Sequence, residues 1–254
     1  MLTDFPFAIE EIPTLSVEQM REVDRIMIED LGIPLIQMME HAGRALADVA
    51  RRRLGGSVVD KHIIVLVGAG HKGGGGVVAA RHLHNWGAEV HVLFATAFKR
   101  LKEETQRQYR ILEAIGVPLW HFDDISAPID KPTPQWGRAA LVLDALLGYN
   151  LHGDPRGFYA DLIRLANASR TPIISLDVPS GLDANDGTIY SPCIEADATV
   201  TLALPKQGLR ESPFVVGDLY LADIGIAPEV YKRMGLDVPP LFQHQPIVRV
   251  RYPT

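Results

Sequence analysis

The chain has a single cysteine, Cys193, among its 254 residues. One thiol cannot close an internal disulfide or build a structural zinc site alone, which fits a reducing, cytoplasmic setting. Positive charge is also scarce: 25 Lys and Arg stand against 31 Asp and Glu, for a net charge of -6. A protein that grips nucleic acid neutralises phosphates with clustered cations, so a nucleic-acid partner is not expected. No apolar run approaches the ~20 residues that cross a bilayer as a helix, so no membrane role is expected. Residues 1–11 are acidic and lack the basic start of a signal or transit peptide. Repeats, low-complexity tracts and long linkers are missing too. What remains is ordinary globular composition, 47% hydrophobic and 22% charged, in a length that suits one large domain. The reading is one domain over 1–254, with an ordered core at about 15–235 and a proline-bearing C-terminal arm at about 238–254.

The order of elements follows from periodicity. Ser16 and Gln19 have capping-box spacing, and Val17, Met20, Val23, Met27 and Leu31 recur at helical intervals. Gly32 and Pro34 end that helix and open a second, from about Pro34 to Arg53. Short β-branched runs then alternate with helical patterns. Strands are predicted at 62–67, 89–94, 117–122, 139–144, 172–178, 198–203 and 219–224, and helices at 77–86, 99–115, 157–168 and 228–234. A loop is predicted from Asp123 to Arg138, and the tail after Val238 reads as loop or a partner-dependent arm. Such alternation gives a doubly wound α/β sandwich, because each parallel crossover needs a covering helix.

In an open parallel sheet, ligands bind at the carboxyl ends of the strands near a topological switch point. Three strand ends stand out: Gly68-Ala69-Gly70-His71-Lys72-Gly73-Gly74-Gly75-Gly76, Asp144 with Gly148, and Asp177 with Pro179-Ser180-Gly181. The first contains a literal G-x-G-x-x-G, a weak signal on its own. A nicotinamide-dependent dehydrogenase wants an acidic residue at the end of the second strand, where Phe94-Ala95-Thr96-Ala97 supplies none. The bland alternative is a packing turn, but four consecutive glycines exceed that need and favour ligand contact. Asp144 and Asp177 each read either as loop caps or as a carboxylate pair that divides proton-transfer roles. His71 and Lys72 read as phosphate binders or as solvated loop residues. His41 reads as a satisfied, partly buried helix residue. His62, His82, His84, His91, His121, His152 and His244 show no metal-ligand spacing. Ser180 lacks the Gly-x-Ser-x-Gly setting of a hydrolase nucleophile.

Taken together, these segments resemble the YjeF N-terminal domain family, which includes the NAD(P)H-hydrate epimerases. The resemblance runs from about residue 15 to 232. It is carried by Ser16-Val17-Glu18-Gln19-Met20-Arg21, Met39-Glu40-His41-Ala42-Gly43, Val78-Ala79-Ala80-Arg81-His82-Leu83, Asp144-Ala145-Leu146-Leu147-Gly148, Ser175 to Asp183, Pro205-Lys206 and Asp223-Ile224-Gly225-Ile226. It implies a three-layer α/β/α, Rossmann-like, mostly parallel fold, commonly dimeric. The implied activity is interconversion of the R and S forms of hydrated NADH or NADPH, a metabolite repair without a redox cofactor, with a separate dehydratase as pathway partner. Some relatives fuse that dehydratase, and 254 residues leave no room for it. By motif position, substrate contacts fall on His71, Lys72, Gly73, Gly74 and Gly75, on Gly148, Tyr149, Asn150, Leu151, His152, Gly153 and Asp154, and on Asp177, the acid and base. The ligands of a potassium ion fall on Lys72, Asp144 and Ser180.

The family's loop Asn-Asn-Gly-Gly-Asp-Gly here reads His71-Lys72-Gly73-Gly74-Gly75-Gly76, and His41 replaces Asn in Met-Glu-Asn-Ala-Gly. Lys72 therefore stands at an ion-ligand position while carrying a charge of its own. Two readings stay open: its ammonium takes the ion's place beside Asp144, or it turns to solvent or substrate phosphate. The alternative function is a non-catalytic or re-specialised nucleotide-binding module acting as a dimeric scaffold.

Overall fold

The computed structural model describes residues 4–8, 12–122 and 135–252. Most of the predicted 123–138 loop lies outside the described residues. The chain opens with helices α1 (Val17–Arg25) and α2 (Leu35–Arg53), joined by a wider helical turn at Ile26–Asp30. The capping box at α1 forms as its spacing predicts. The Gln19 amide donates to Ser16 Oγ at 3.1 Å, and the Ser16 amide donates to Gln19 Oε1 at 2.9 Å. Strand β1 (His62–Val67), helix α3 (His71–Asn85), strand β2 (Glu89–Phe94), helix α4 (Glu103–Ala114) and strand β3 (Leu119–His121) follow. Next come β4 (Leu141–Ala145), α5 (Phe158–Ala168), β5 (Ile173–Leu176) and β6 (Ala198–Leu202). Short helices α6 (Gln207–Glu211) and α7 (Pro213–Val216) precede β7 (Asp218–Ala222), α8 (Pro228–Arg233) and β8 (Ile247–Val250).

The eight strands form one sheet in the order β3-β2-β1-β4-β5-β6-β7-β8, parallel except for β8. Helices cover both faces, giving the expected three layers. Ile63, Val65 and Val67 pack with Leu46, Val49 and Leu83 of α2 and α3, whereas Ile64 and Leu66 pack with Leu162 and Ile163 of α5. A strand buried on both faces explains the unbroken apolar run at 62–67. A third cluster holds α1 and the start of α2 against the β6–β7 end, through Val23, Met27, Leu204, Leu219 and Leu221.

Two expectations change. The sequence predicts loop or arm for the tail, yet Ile247–Val250 pairs antiparallel with β7. Four residues with Pro246 just before them are too short and too proline-rich a context to signal a strand, and the open edge of β7 supplies the missing pairing. The sequence predicts the glycine run as a loop ahead of a helix at Val77, but α3 already begins at His71. Each helical Gly costs roughly 1 kcal/mol relative to Ala, and close packing, described next, offsets that cost.

Candidate active site

β1 and β4 are neighbours from which the chain departs in opposite directions, so a crevice opens beyond their carboxyl ends. The structure places a cavity of about 620 Å³ there. Its wall combines strand ends (Ala69, Leu146, Asp177) with the N-terminus of α3 and the inner faces of α1 and α2 (Met20, Asp24, Met38, Met39).

The glycine run serves packing more than expected. A Cβ at Gly73 would lie 2.1 Å from the Gly68 carbonyl oxygen, one at Gly74 2.5 Å from Met39 Sδ, and one at Gly76 2.4 Å from Ala145 Cβ. These three glycines let α3 approach β1, β4 and α2 at backbone distance. Gly75 alone of the four borders the cavity. The N-cap of α3, Gly70, makes no side-chain cap bond, and Gly70, His71 and Lys72 of this helix start border the cavity, where the free N–H groups of a helix N-terminus favour anions. His71 and Lys102 add side chains at the same rim.

Asp144, the penultimate residue of β4, is fully buried and is a hub of hydrogen bonds. Its Oδ1 accepts from the Leu146 amide at 3.0 Å and Ser180 Oγ at 2.6 Å, and its Oδ2 accepts from Ser175 Oγ and the Ser180 amide at 2.9 Å each. Lys72 reaches the same point from α3. Its Nζ donates toward Asp144 Oδ2 (3.0 Å), the Leu147 carbonyl (2.9 Å), the Val178 carbonyl (2.8 Å) and Ser180 Oγ (3.0 Å). Burial pulls the Lys72 pKa below its ordinary value, and the Asp144 charge opposes that pull. Lys72 Nζ thus turns inward to Asp144 rather than out to solvent. This also removes Asp144 from any paired-carboxylate scheme. Asp144 and Ser180 lie behind Lys72, outside the cavity wall.

Asp177 sits immediately after β5 with φ at +66°, a left-handed conformation that Asp tolerates better than most residues. Its amide donates to the Val200 carbonyl at 2.7 Å, which fixes the turn, and its carboxylate lines the cavity. The fully buried Lys206 donates from Nζ to Asp177 Oδ1 and, at 2.9 Å, to the Leu202 carbonyl. Across the cavity Tyr149 donates from its hydroxyl to Asp24 Oδ2 at 2.6 Å. Burial raises the Asp24 pKa, with the Tyr149 hydrogen bond opposing it, and burial followed by the Asp24 charge raises that of Tyr149.

Of the residues assigned by motif, His71, Lys72, Gly75, Gly148, Tyr149, Asn150, Leu151, His152 and Asp177 all line the cavity. Gly73 and Gly74 are buried in packing, and Gly153 and Asp154 lie outside the wall. The exposed Asp154 instead accepts from the Ser191 amide at 2.9 Å. The sequence predicts a partly buried His41, but it is exposed on α2 and is not part of the cavity wall that Met38, Met39 and Ala42 help to form. Asp24 and the Asp177–Lys206 pair were not singled out from the sequence. Asp24 sits among ordinary charged residues of an amphipathic helix, and Lys206, though part of the Pro205-Lys206 motif, lies 29 residues from Asp177, so nothing local marks Asp24 or signals that Lys206 pairs with Asp177.

Comparisons agree with this geometry. The sequence model of the family described as "YjeF-related protein N-terminus" matches residues 35–208. An NAD(P)H-hydrate epimerase of Dehalogenimonas lykanthroporepellens is 43% identical over 89% of this chain and 88% of its own length. A bifunctional NAD(P)H-hydrate repair enzyme of Salinibacter ruber is 35% identical over 87% of this chain, which spans 42% of that longer relative. The crystal structure of the yeast protein ynu0 superposes with a TM-score of 0.79, covering 94% of this chain and 100% of its own at 24% identity, and so shares the fold. The chain belongs to the family of YjeF-related N-terminal domains.

Proposed function

We propose that the protein is an epimerase of hydrated NADH or NADPH and acts in metabolite repair. The observation that carries this reading is Asp177. It is a cavity-lining carboxylate just past the carboxyl end of β5, fixed by an αL turn and by the Lys206 ammonium, in the same cavity as a helix N-terminus suited to phosphate. The epimerase names of the relatives support the same reading.

The hydrated ring bears a hydroxyl on the carbon next to its nitrogen. Asp177, protonated at the expense of the Lys206 ammonium that donates to it, gives that proton to the hydroxyl, the C–O bond breaks with loss of water, and the nitrogen lone pair stabilises the cation. Water then adds to the opposite face and returns a proton to Asp177, which inverts the centre. One carboxyl serves both half-steps by microscopic reversibility. The α3 N-terminus, His71 and Lys102 hold the phosphates, and Met20, Met38 and Met39 pack the apolar parts of the ligand. Binding energy from these remote groups keeps the ring against Asp177.

The resemblance also implies a potassium ion held by Asp144 and Ser180. Two side-chain and two backbone oxygens converge there at 2.8–3.0 Å, but on Lys72 Nζ. An ammonium is close to potassium in size and charge, and an ion does not fit beside it at that point. In this reading Lys72 is a tethered replacement for the ion, and the protein works without potassium. The enzyme acts as a cytoplasmic homodimer and hands one epimer to a dehydratase. No described helix is long and apolar enough to cross a membrane.

The test is recovery of NADH from the R epimer in the presence of an S-specific dehydratase. Wild-type protein should beat the spontaneous rate equally in potassium and choline buffers. Asp177→Asn should lose about 10²–10⁴-fold, the usual contribution of positioned acid–base catalysis. A wild-type rate at background would overturn the proposal.

A further inference from the structure

A second constellation lies at the opposite, amino-terminal edge of the sheet. His62 opens β1 and Glu89 opens β2, and the two are register partners. His91 follows Glu89 by two positions and so points to the same face of the sheet, the one that Ile64, Leu66 and Leu93 continue toward α5. His62 and His91 are only 4% and 6% exposed. Among the described residues, neither ring nitrogen of His62 and not Nδ1 of His91 has a hydrogen-bond partner. Buried polar atoms are normally paired, so three orphaned imidazole nitrogens in one place call for an explanation.

The geometry points to a divalent transition-metal site, zinc being the ion it suits best. One nitrogen from each ring and one Glu89 oxygen all lie within 4.8 Å of one another. Glu89 Oε1 is 3.5 Å from His62 Nδ1 and 3.5 Å from His91 Nε2. Two ligands bound at about 2.0–2.1 Å to a tetrahedral zinc ion sit roughly 3.3–3.4 Å apart, so the carboxylate already stands at ligand spacing from each imidazole. The rings are 4.6 Å apart and inclined at 47°, so they are neighbours that do not stack flat. Arg138 approaches the other oxygen, Glu89 Oε2, at 3.7 Å, as an outer partner that orients the ligating carboxylate. A cavity of about 320 Å³, also lined by His84 and Gln135, adjoins the three groups. It leaves room for water to complete a four-coordinate shell. Two imidazoles and a carboxylate suit zinc and its late first-row neighbours rather than calcium or magnesium. The sequence-based reading of unrelated histidines therefore changes for His62 and His91, because parallel pairing joins residues that lie far apart in the chain. This site is independent of the Asp177 cavity, so the epimerase reading can fail without affecting it.

The test uses untagged full-length protein stripped with EDTA and titrated with zinc chloride by calorimetry, and with cobalt(II) by visible absorption. Wild-type protein should bind one equivalent of zinc, raise its melting temperature with added zinc, and give cobalt the intense visible bands of a four-coordinate site. Glu89→Gln and His91→Gln should each weaken zinc binding roughly tenfold or more and remove those bands. Glu89 is half-exposed, so Glu89→Gln keeps the fold and reads the site even if His91→Gln does not fold. Folded wild-type protein that binds no zinc, or zinc affinity unchanged by both substitutions, would overturn the proposal.

Discussion

Replacing Lys72 with Met tests the caged ammonium most directly. Met keeps the length of the aliphatic stem but removes the charge. Asp144, fully buried, then loses its counter-charge, and the Leu147 and Val178 carbonyls lose a donor. Removing one member of a buried ion pair costs about 3–5 kcal/mol, because the partner stays buried and uncompensated. With about 2.1 cal/mol/K of unfolding entropy per residue over 254 residues, each kcal/mol shifts Tm by about 2 °C. Lys72→Met should therefore melt roughly 6–10 °C below wild type by circular dichroism. Lys72→Ala instead opens the cage, with Asp144, Ser180 and the two carbonyls still in place. At about 100 times its Kd, potassium would return about 2.7 kcal/mol, or about 5 °C, relative to choline. Wild-type protein should show no such gain. A Lys72→Met variant as stable as wild type, or a wild-type Tm that climbs with potassium as steeply as that of Lys72→Ala, would refute the reasoning.

Other consequences are as concrete. Gly73→Ala should abolish or severely weaken folding, since its Cβ meets a backbone oxygen at 2.1 Å, whereas Gly70→Ala meets open space and should cost under about 1 kcal/mol in urea denaturation. Burial raises the folded-state pKa of Asp24. Its contribution to stability is therefore greatest below the unfolded pKa and is lost as pH rises through the folded one. Asp24→Asn should accordingly gain stability relative to wild type between acid and neutral pH, and a pH-independent difference would contradict this. Burial pushes the Cys193 thiol up to about 12, so at pH 8 only about one part in ten thousand is thiolate. Ellman's reagent should label it only as the protein unfolds, and prompt labelling of native protein would count against that burial.

Much of the architecture was legible because it rests on local patterns. The capping box at Ser16, the doubly apolar run at 62–67 and the alternation of strands with amphipathic helices each report a burial environment within a few residues. The strand ends that would border a switch-point crevice could be named for the same reason. The limits were equally physical. The glycine run looks like a ligand loop because glycine marks both flexibility and close approach, and only the packed positions of Met39, Gly68 and Ala145 distinguish the two. β8 exists because β7 offers an edge, which no window around 247–250 contains.

The alternation of strands and main helices up to β7, the parallel sheet and the positions of Asp144 and Asp177 near strand ends were determined by sequence alone, since hydrophobic period and turn residues act over short range. Long-range contact decided the chemistry. Lys72 could have turned outward or inward, and only the meeting of the β4, β5 and α3 ends gave its ammonium four oxygens to face. Lys206 acquires its role only when the chain after β6 folds back on Asp177, and His62 finds Glu89 and His91 only through pairing of β1 with β2. A side chain's partners, and hence its charge and use, depend on residues brought close by the tertiary fold.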